Sequence, residues 1–384
     1  MNEWLVLAAF VASGILVAWY RRGAVPRAGE TGQRLDRTYL QGLNLLLNDQ
    51  QDEAIDLFVR VLEVNHETVE IHLALGKLFR QRGEVERAIR LHQNLIARPN
   101  LDRAQKEQAL FELGEDYLCA GLLDRAERLF ADLAGSRSLG EAARRRLLRV
   151  YEEEKEWEKA VEVARRLDRS RYRRALAHYY CELAEQAQLQ GETGRAQRLL
   201  KRALSTDRAC VRAALLLARI DLDRGRARKA ADRLLHVREQ DAAMLPLVVE
   251  PLMSCFEQLG RPRRLGEALE ALLPEIPGRA ALEAWVDLLL ERDGAGRALA
   301  ALRERLERCP DPVALRRYLE LTPESGCPQL QAEMRALLAK WVPAGERFRC
   351  DTCGFDAGRL YWRCPSCKGW GTMKPIEETP CAST

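Results

Sequence analysis

Four cysteines near the C-terminus carry the clearest chemistry in this chain of 384 residues. Two residues separate Cys350 from Cys353, two separate Cys364 from Cys367, and ten lie between the pairs. A Cys-x-x-Cys turn aims two sulfurs at a common point, so two such turns can surround one ion with a tetrahedron of thiolates. Sulfur-only tetrahedral sites suit zinc and mononuclear iron alike, so the spacing leaves the metal open as iron or zinc. Gly354, directly after the first pair, is expected at a positive φ that turns backbone N–H groups toward sulfur. Pro365 fixes φ inside the second turn. Aromatic residues crowd the same stretch: Trp341, Phe348, Phe355, Tyr361, Trp362 and Trp370. A unit of about 35 residues is too small to be held by its core alone, and a bound ion supplies the missing folding free energy. The other cysteines (Cys119, Cys181, Cys210, Cys255, Cys309, Cys327 and Cys381) stand apart in sequence and read as helix-core or incidental thiols in a reducing compartment.

The elements that precede these thiols are helical. Apolar residues make up 47% of the chain, charged residues 31% and aromatic residues 6%, which excludes wholesale disorder and a multi-span membrane protein and favours helices over sheets. A small-residue position recurs at Ala54, Ala88, Ala126, Ala160, Ala196 and Ala230, then at Leu265 and Ala298, in steps of 33 to 38 residues. Twelve residues earlier stand Gly42, Gly76 and Gly114, followed in later copies by Leu148, Ala184 and Ala218. A glycine lies five residues before the small position in several copies: Gly83, Gly121, Gly191, Gly225 and Gly260. Four residues after it comes a large apolar residue, as at Phe58, Phe130, Leu200 and Leu234. The pattern predicts paired helices whose backbones approach at the small residues, with the apolar residue filling the space to the next pair. No pair can bury its own stripe, so stacking supplies the core and a superhelix is expected. Over residues 35–310 the pattern resembles tetratricopeptide repeats, about eight of them. The last two are degenerate, with Leu265 and Val286 in small-residue slots. That resemblance implies protein binding.

The first segment differs from the rest. Trp4 to Tyr20 carries no charge, and Arg21, Arg22 and Arg27 follow it while only Glu3 precedes it. Its length of about 25 Å as a helix, its terminal aromatics and the trailing arginines predict a single-pass anchor with the bulk of the chain on the cytoplasmic side. The expected organisation is an anchor at 1–22, a linker at 23–34, repeats at 35–310, terminal helices at 311–342, the metal unit at 343–376 and a tail at 377–384.

No catalytic motif occurs: P-loop, G-x-G-x-x-G, H-E-x-x-H and G-x-S-x-G are all absent. His66, His72, His92, His178 and His236 are scattered without metal-binding spacing. A formal charge of +4 argues against a chain built to bind nucleic acid, and the modest basic excess around the cysteines argues against a nucleic-acid-binding ribbon. Two arginine runs stand out, Arg144, Arg145, Arg146 and Arg149, then Arg165, Arg166, Arg169, Arg171, Arg173 and Arg174. They read as solvated helix faces or as a surface for an acidic partner or anionic headgroups.

The cysteine pairs, as Cys-x-x-Cys-Gly and Cys-Pro-x-Cys, look like the knuckles of rubredoxin. The spacer of ten residues is much shorter than in electron-transfer rubredoxins, and Lys368 stands where they carry glycine. Those departures favour a structural, docking role over a membrane-anchored redox carrier or sensor, which stays the alternative. An anchor, repeats and a terminal LYWRCPSCKGW motif followed by Lys374-Pro375-Ile376 together resemble the lipopolysaccharide assembly protein B family along essentially the whole chain. The resemblance implies a mostly α inner-membrane adaptor and no enzyme activity. It further implies a role in regulating lipopolysaccharide synthesis by promoting proteolysis of the deacetylase LpxC by the membrane protease FtsH. Other lipopolysaccharide assembly proteins are implied as partners, a homo-oligomer stays open, and Cys350, Cys353, Cys364 and Cys367 correspond to the family's metal ligands.

Overall fold

The computed structural model describes residues 69–322 apart from 262, 274, 275, 277, 278, 309 and 310, residues 347–376, and scattered positions in 41–59 and 332–338. The expected anchor, linker and tail lie outside the described residues, as do Gly42, His66, Cys309, Cys327, Trp341 and Cys381. Among the described residues no helix is long and apolar enough to cross a membrane.

The chain forms two compact units, Met1–Val150 and Tyr151–Thr384. The first contains α1 (Val69–Gln81), α2 (Val85–Ile96), α3 (Arg103–Cys119), α4 (Leu123–Leu133) and most of α5 (Gly140–Glu154). The second contains α6 (Trp157–Ala164), α7 (Arg169–Leu189), α8 (Thr193–Thr206), α9 (Val211–Asp223), α10 (Ala227–Leu235) and a short α11 (Val237–Gln240). A 3-10 segment (Ala242–Val248) follows, then α12 (Val249–Gln258), α13 (Arg263–Leu272), α14 (Arg279–Asp293), α15 (Ala295–Arg308) and α16 (Pro312–Leu321). Strands β1 (Phe348–Cys350), β2 (Asp356–Ala357) and β3 (Met373–Pro375) complete it.

The helices pair as the repeat pattern requires. Ala54, Ala88, Ala126, Ala160, Ala196, Ala230 and Ala298 are all 0% exposed, as small residues at helix crossings require. The glycine slot has an equally direct cause. A Cβ on Gly76 would lie 2.3 Å from the His92 ring, and one on Gly114 would lie 2.7 Å from the Phe130 ring. His92 and Phe130 each stand four residues after a buried alanine, so the glycine admits the large side chain of the partner helix. His92 is an unusual occupant of that slot. Its Nδ1 meets the buried Asp116 carboxylate, whose other oxygen pairs with Arg80, and Arg80 also reaches Glu112 at 2.7 Å. Although burial opposes it, hydrogen bonds from Arg80 and Lys77 hold the Glu112 carboxyl below its ordinary range.

Three helix starts carry side-chain caps. Asp102 and Gln105 form a reciprocal capping box on α3, Asp168 accepts the Ser170 N–H at the start of α7, and Asp311 caps α16 with Pro312 in its first turn. Within pairs, Gly83 (φ 81°) ends α1 in a left-handed conformation, whereas Lys155 (φ 59°) fills the corresponding position after α5.

One interruption shapes the second unit. After α10 the chain makes α11 and then the 3-10 segment with Pro246 inside, instead of passing directly to α12. Met244, Leu245 and Val248 of this segment join the core of α9, α10, α12 and α13, while Leu247 packs on the C-terminal metal unit.

Candidate metal centre and its seat on the repeats

The three strands form an antiparallel sheet in the order β2-β1-β3, with Phe348 opposite Ala357 and Cys350 opposite Met373. Arg349 grips Asp356 across β1 and β2 with two hydrogen bonds, at 2.7 and 2.9 Å. Cys350 ends β1, so the strand delivers the first sulfur. The Arg363–Trp370 bridge brackets the second pair of cysteines.

The two cysteine turns repeat one backbone design. The N–H of Gly354 donates to the Cys350 carbonyl at 2.9 Å, and the N–H of Lys368 donates to the Cys364 carbonyl at 3.0 Å. The N–H of Cys350 donates to the Phe355 carbonyl at 2.9 Å, matched by Cys364 to Gly369 at 2.8 Å. Both turns need a left-handed residue after the second cysteine: Gly354 takes φ 74° and Lys368 takes φ 61°. The expected role of Gly354 is met, and Lys368 accepts a conformation that costs a side-chain-bearing residue about 1 kcal/mol or more.

The turns bring all four sulfurs within 4.8 Å of one another. Cys350 Sγ lies 3.7 Å from Cys367 Sγ, and Cys353 Sγ lies 3.7 Å from Cys364 Sγ. A tetrahedral ion with bonds of about 2.3 Å to sulfur sets sulfurs about 3.8 Å apart, so the donor set fits a single ion. The distances are far beyond a disulfide bond of about 2.05 Å. Burial pushes the Cys350 thiol up, yet the Thr372 hydroxyl and the N–H groups of Cys353 and Thr352 outweigh it and bring it down to about 6. Cys353 is likewise lowered, chiefly by the Phe355 N–H. Cys367 has the lowering N–H of Gly369, but burial and the three neighbouring thiols push it up to about 11. Two sulfurs are thus poised to ionise and a third is held back by its neighbours, a repulsion that a divalent cation removes.

The metal unit is seated on the second unit's helices through its aromatic residues. Trp370 lies edge-on to Trp157 and Tyr179, at 5.9 and 5.7 Å between ring centroids, and stacks on His178 at 5.3 Å. Glu152, at the end of α5, is the polar centre of this seat. It accepts hydrogen bonds from the Trp370 indole at 2.8 Å, from the Tyr179 hydroxyl, and from Arg363 at 2.9 Å. Burial first, then the Glu152 charge, raise the Tyr179 phenol, so it stays protonated and donating. Gly371 (φ 63°) passes so close to α7 that a Cβ there would lie 2.9 Å from His178 Nε2. Arg212, paired with Glu182 and Glu185, places its guanidinium 5.8 Å from the Trp362 ring centre. Lys374 pairs with Asp241, next to the 3-10 segment.

Sequence reasoning brought the four cysteines together correctly and missed the seat. Trp157, Glu152, His178 and Arg212 lie some 200 residues or fewer before the cysteines and carry no motif. The one usable signal was the excess of tryptophan around the knuckles. Among the described residues the four-cysteine group is the one cluster able to hold a metal. Cys181 and Cys210, far apart in sequence, face each other in the core at 3.8 Å.

Residues 348–375 match the family described as "Rubredoxin metal binding domain", and residues 71–104 match "Tetratricopeptide repeat". The chain is 37% identical over 385 aligned residues to "Lipopolysaccharide assembly protein B" of Escherichia coli (strain K12), covering 98% of each chain. It is 34% identical to the protein of that name from Haemophilus influenzae (strain ATCC 51907 / DSM 11121 / KW20 / Rd), again with 98% of each covered. Among solved structures, "Structure of Naa15/Naa10 bound to HypK-THB" overlaps it with a TM-score of 0.42 at 15% identity, covering 80% of this chain and 51% of that one.

Proposed function

The chain belongs to the lipopolysaccharide assembly protein B family, and on that premise we propose that it is a membrane-anchored, non-catalytic adaptor of lipopolysaccharide synthesis. The likeness along 98% of the chain carries this reading, because it spans the repeats and the metal unit together. In the proposed organisation residues 1–22 anchor the chain in the inner membrane and 23–34 link it to repeats at 35–310. Terminal helices at 311–342 precede the metal unit at 343–376 and the tail at 377–384. The repeats capture the deacetylase LpxC and present it to the membrane protease FtsH, and the anchor raises the local concentration of client beside protease, so modest affinities suffice.

Cys350, Cys353, Cys364 and Cys367 are the ligands of one structural ion, zinc or iron. The ion neutralises the clustered thiolates and fixes the turns that carry Trp362 and Trp370 to the helices. A redox carrier is the second reading, favoured by the exposure of Cys353 and Cys367, since an exposed sulfur is an exit for an electron. Protein purified from native membranes that is colourless, zinc-loaded and functional removes it.

The test of the adaptor reading is deletion of residues 1–22 in cells. The truncated chain is expected to remain folded and to leave the LpxC level high. Client turnover as fast as with the full chain would overturn the tethering.

A further inference from the structure

We propose that the corner between α6 and α7 is a docking surface for anionic phospholipid headgroups, holding the second unit against the membrane. Between residues 165 and 174 the chain carries six arginines and one aspartate, whereas the entire chain has an excess of only four positive charges. All six arginines are exposed. Arg165, Arg169 and Arg171 make no ion pair among the described residues, and Asp168 is engaged by the N–H and hydroxyl of Ser170. Arg166 pairs with Glu162. Arg173 lies 3.7 Å from the buried Asp207, which brings the exposed Arg208 of the α8–α9 connection to the same surface. The charge therefore covers two successive helix pairs. It also gathers at the start of α7, the positive end of that helix, where the single carboxylate of Asp168 stands against six guanidinium groups.

What surrounds the arginines selects the ligand. Protein interfaces are anchored by buried aromatic or aliphatic side chains, and strand-binding surfaces for nucleic acids by stacking aromatics. This surface offers neither. Leu167 and Leu176 are buried and Tyr172 is half-buried. The exposed large apolar residues among those described are Leu122, Leu189, Leu259 and Met334. Leu189 is at the opposite end of α7, about 30 Å away at 1.5 Å per residue. A surface of guanidinium groups without an apolar centre suits a layer of phosphate headgroups, which needs only charge and short reach.

The proposal rests on the membrane placement proposed above, and one experiment separates the two. The full chain is reconstituted in lipid discs of phosphatidylcholine alone or with about one-third phosphatidylglycerol, and arginines are modified with phenylglyoxal and quantified by mass spectrometry. Arg165, Arg169 and Arg171 are expected to react about fivefold more slowly in the phosphatidylglycerol discs and to regain their rate in about 0.5 M salt, while Arg90 of α2 is unchanged. The variant Arg165→Gln/Arg169→Gln/Arg171→Gln, with unchanged helix content, is expected to abolish the lipid-dependent protection of Arg173 and Arg208. Equal rates in both discs overturn the proposal, as does protection that appears only when RNA or a soluble acidic protein is added. Capture of the chain by pure phosphatidylcholine vesicles in a separate flotation assay reports the anchor alone.

Discussion

Lys368 shows how much a single dihedral angle can matter in a small unit. Its turn has the same hydrogen bonds as the turn at Gly354 and the same left-handed φ, but it carries a side chain there. Lys368→Gly is therefore expected to stabilise the metal unit by about 1 kcal/mol, read as slower metal loss to a chelator. Slower loss would show that the strain is real; faster loss would show that the lysine side chain supports the turn in some other way. Glu152 acts in the opposite sense. Removing its carboxylate leaves the Trp370 indole, the Tyr179 hydroxyl and Arg363 without their shared acceptor. Glu152→Ala is expected to cost about 2–4 kcal/mol of seating, measured as faster amide exchange in β3, whereas Glu152→Gln should retain part of it. An unchanged exchange rate in Glu152→Ala would mean that the aromatic contacts alone hold the unit.

Helices make the seat sensitive to acid. His178 on α7 is buried under Trp362, Trp370 and Gly371, and it faces Arg174 from its own helix and Arg212 from α9. Burial first, then these two guanidinium groups, push its imidazole down to about 3 from an ordinary 6.5. The seated histidine is neutral and the unseated one takes a proton at about 6.5, so seating expels a proton below that value. Stability from the seat is then complete above about pH 6.5 and declines by about 1.4 kcal/mol per unit as the pH falls toward 3. With metal content monitored, the opening equilibrium of the metal unit, read as amide exchange divided by its intrinsic base-catalysed rate, should rise about fivefold between pH 6.5 and 5.5, and His178→Gln should remove that dependence. A pH-independent opening equilibrium in the unaltered chain would contradict the neutral buried histidine. The same helices explain what the sequence could reveal. Ala88, Ala126 and their counterparts lie at a regular spacing because each meets the same kind of neighbour, so their burial was legible from periodicity. His178 and Glu152 occupy ordinary helix positions and gain their roles from a partner some 200 residues later, which no local pattern encodes. The 3-10 segment was hidden likewise, since the step from Ala230 to Leu265 has the length of an ordinary repeat.

At the scale of the whole molecule, the metal unit and every described residue of its seat belong to one of the two compact units, Tyr151–Thr384. The unit's own core is small: Phe348, Cys350, Cys364 and Met373 are the buried residues of its apolar cluster, and two of these four are cysteines of the candidate metal site. So few apolar side chains cannot offset the ordering of some thirty residues, and the ion must supply the difference. Helices α7 and α9 instead draw their stability from residues such as Leu200, Leu217, Ile220 and Leu234, all less than 2% exposed, which do not depend on the ion. Metal removal should therefore melt β1–β3 and expose Trp157 and Tyr179 while helix content persists. Cys364→Ser, which deletes one ligand, is expected to do the same without a chelator. Amide exchange resolves the outcome: protection is lost from 347–376 and reduced on α6 and α7, while α1–α4 keep theirs. Loss of protection across α1–α4 as well would show that the ion holds the entire chain together, and retained protection in β1–β3 would show that the strands fold without it.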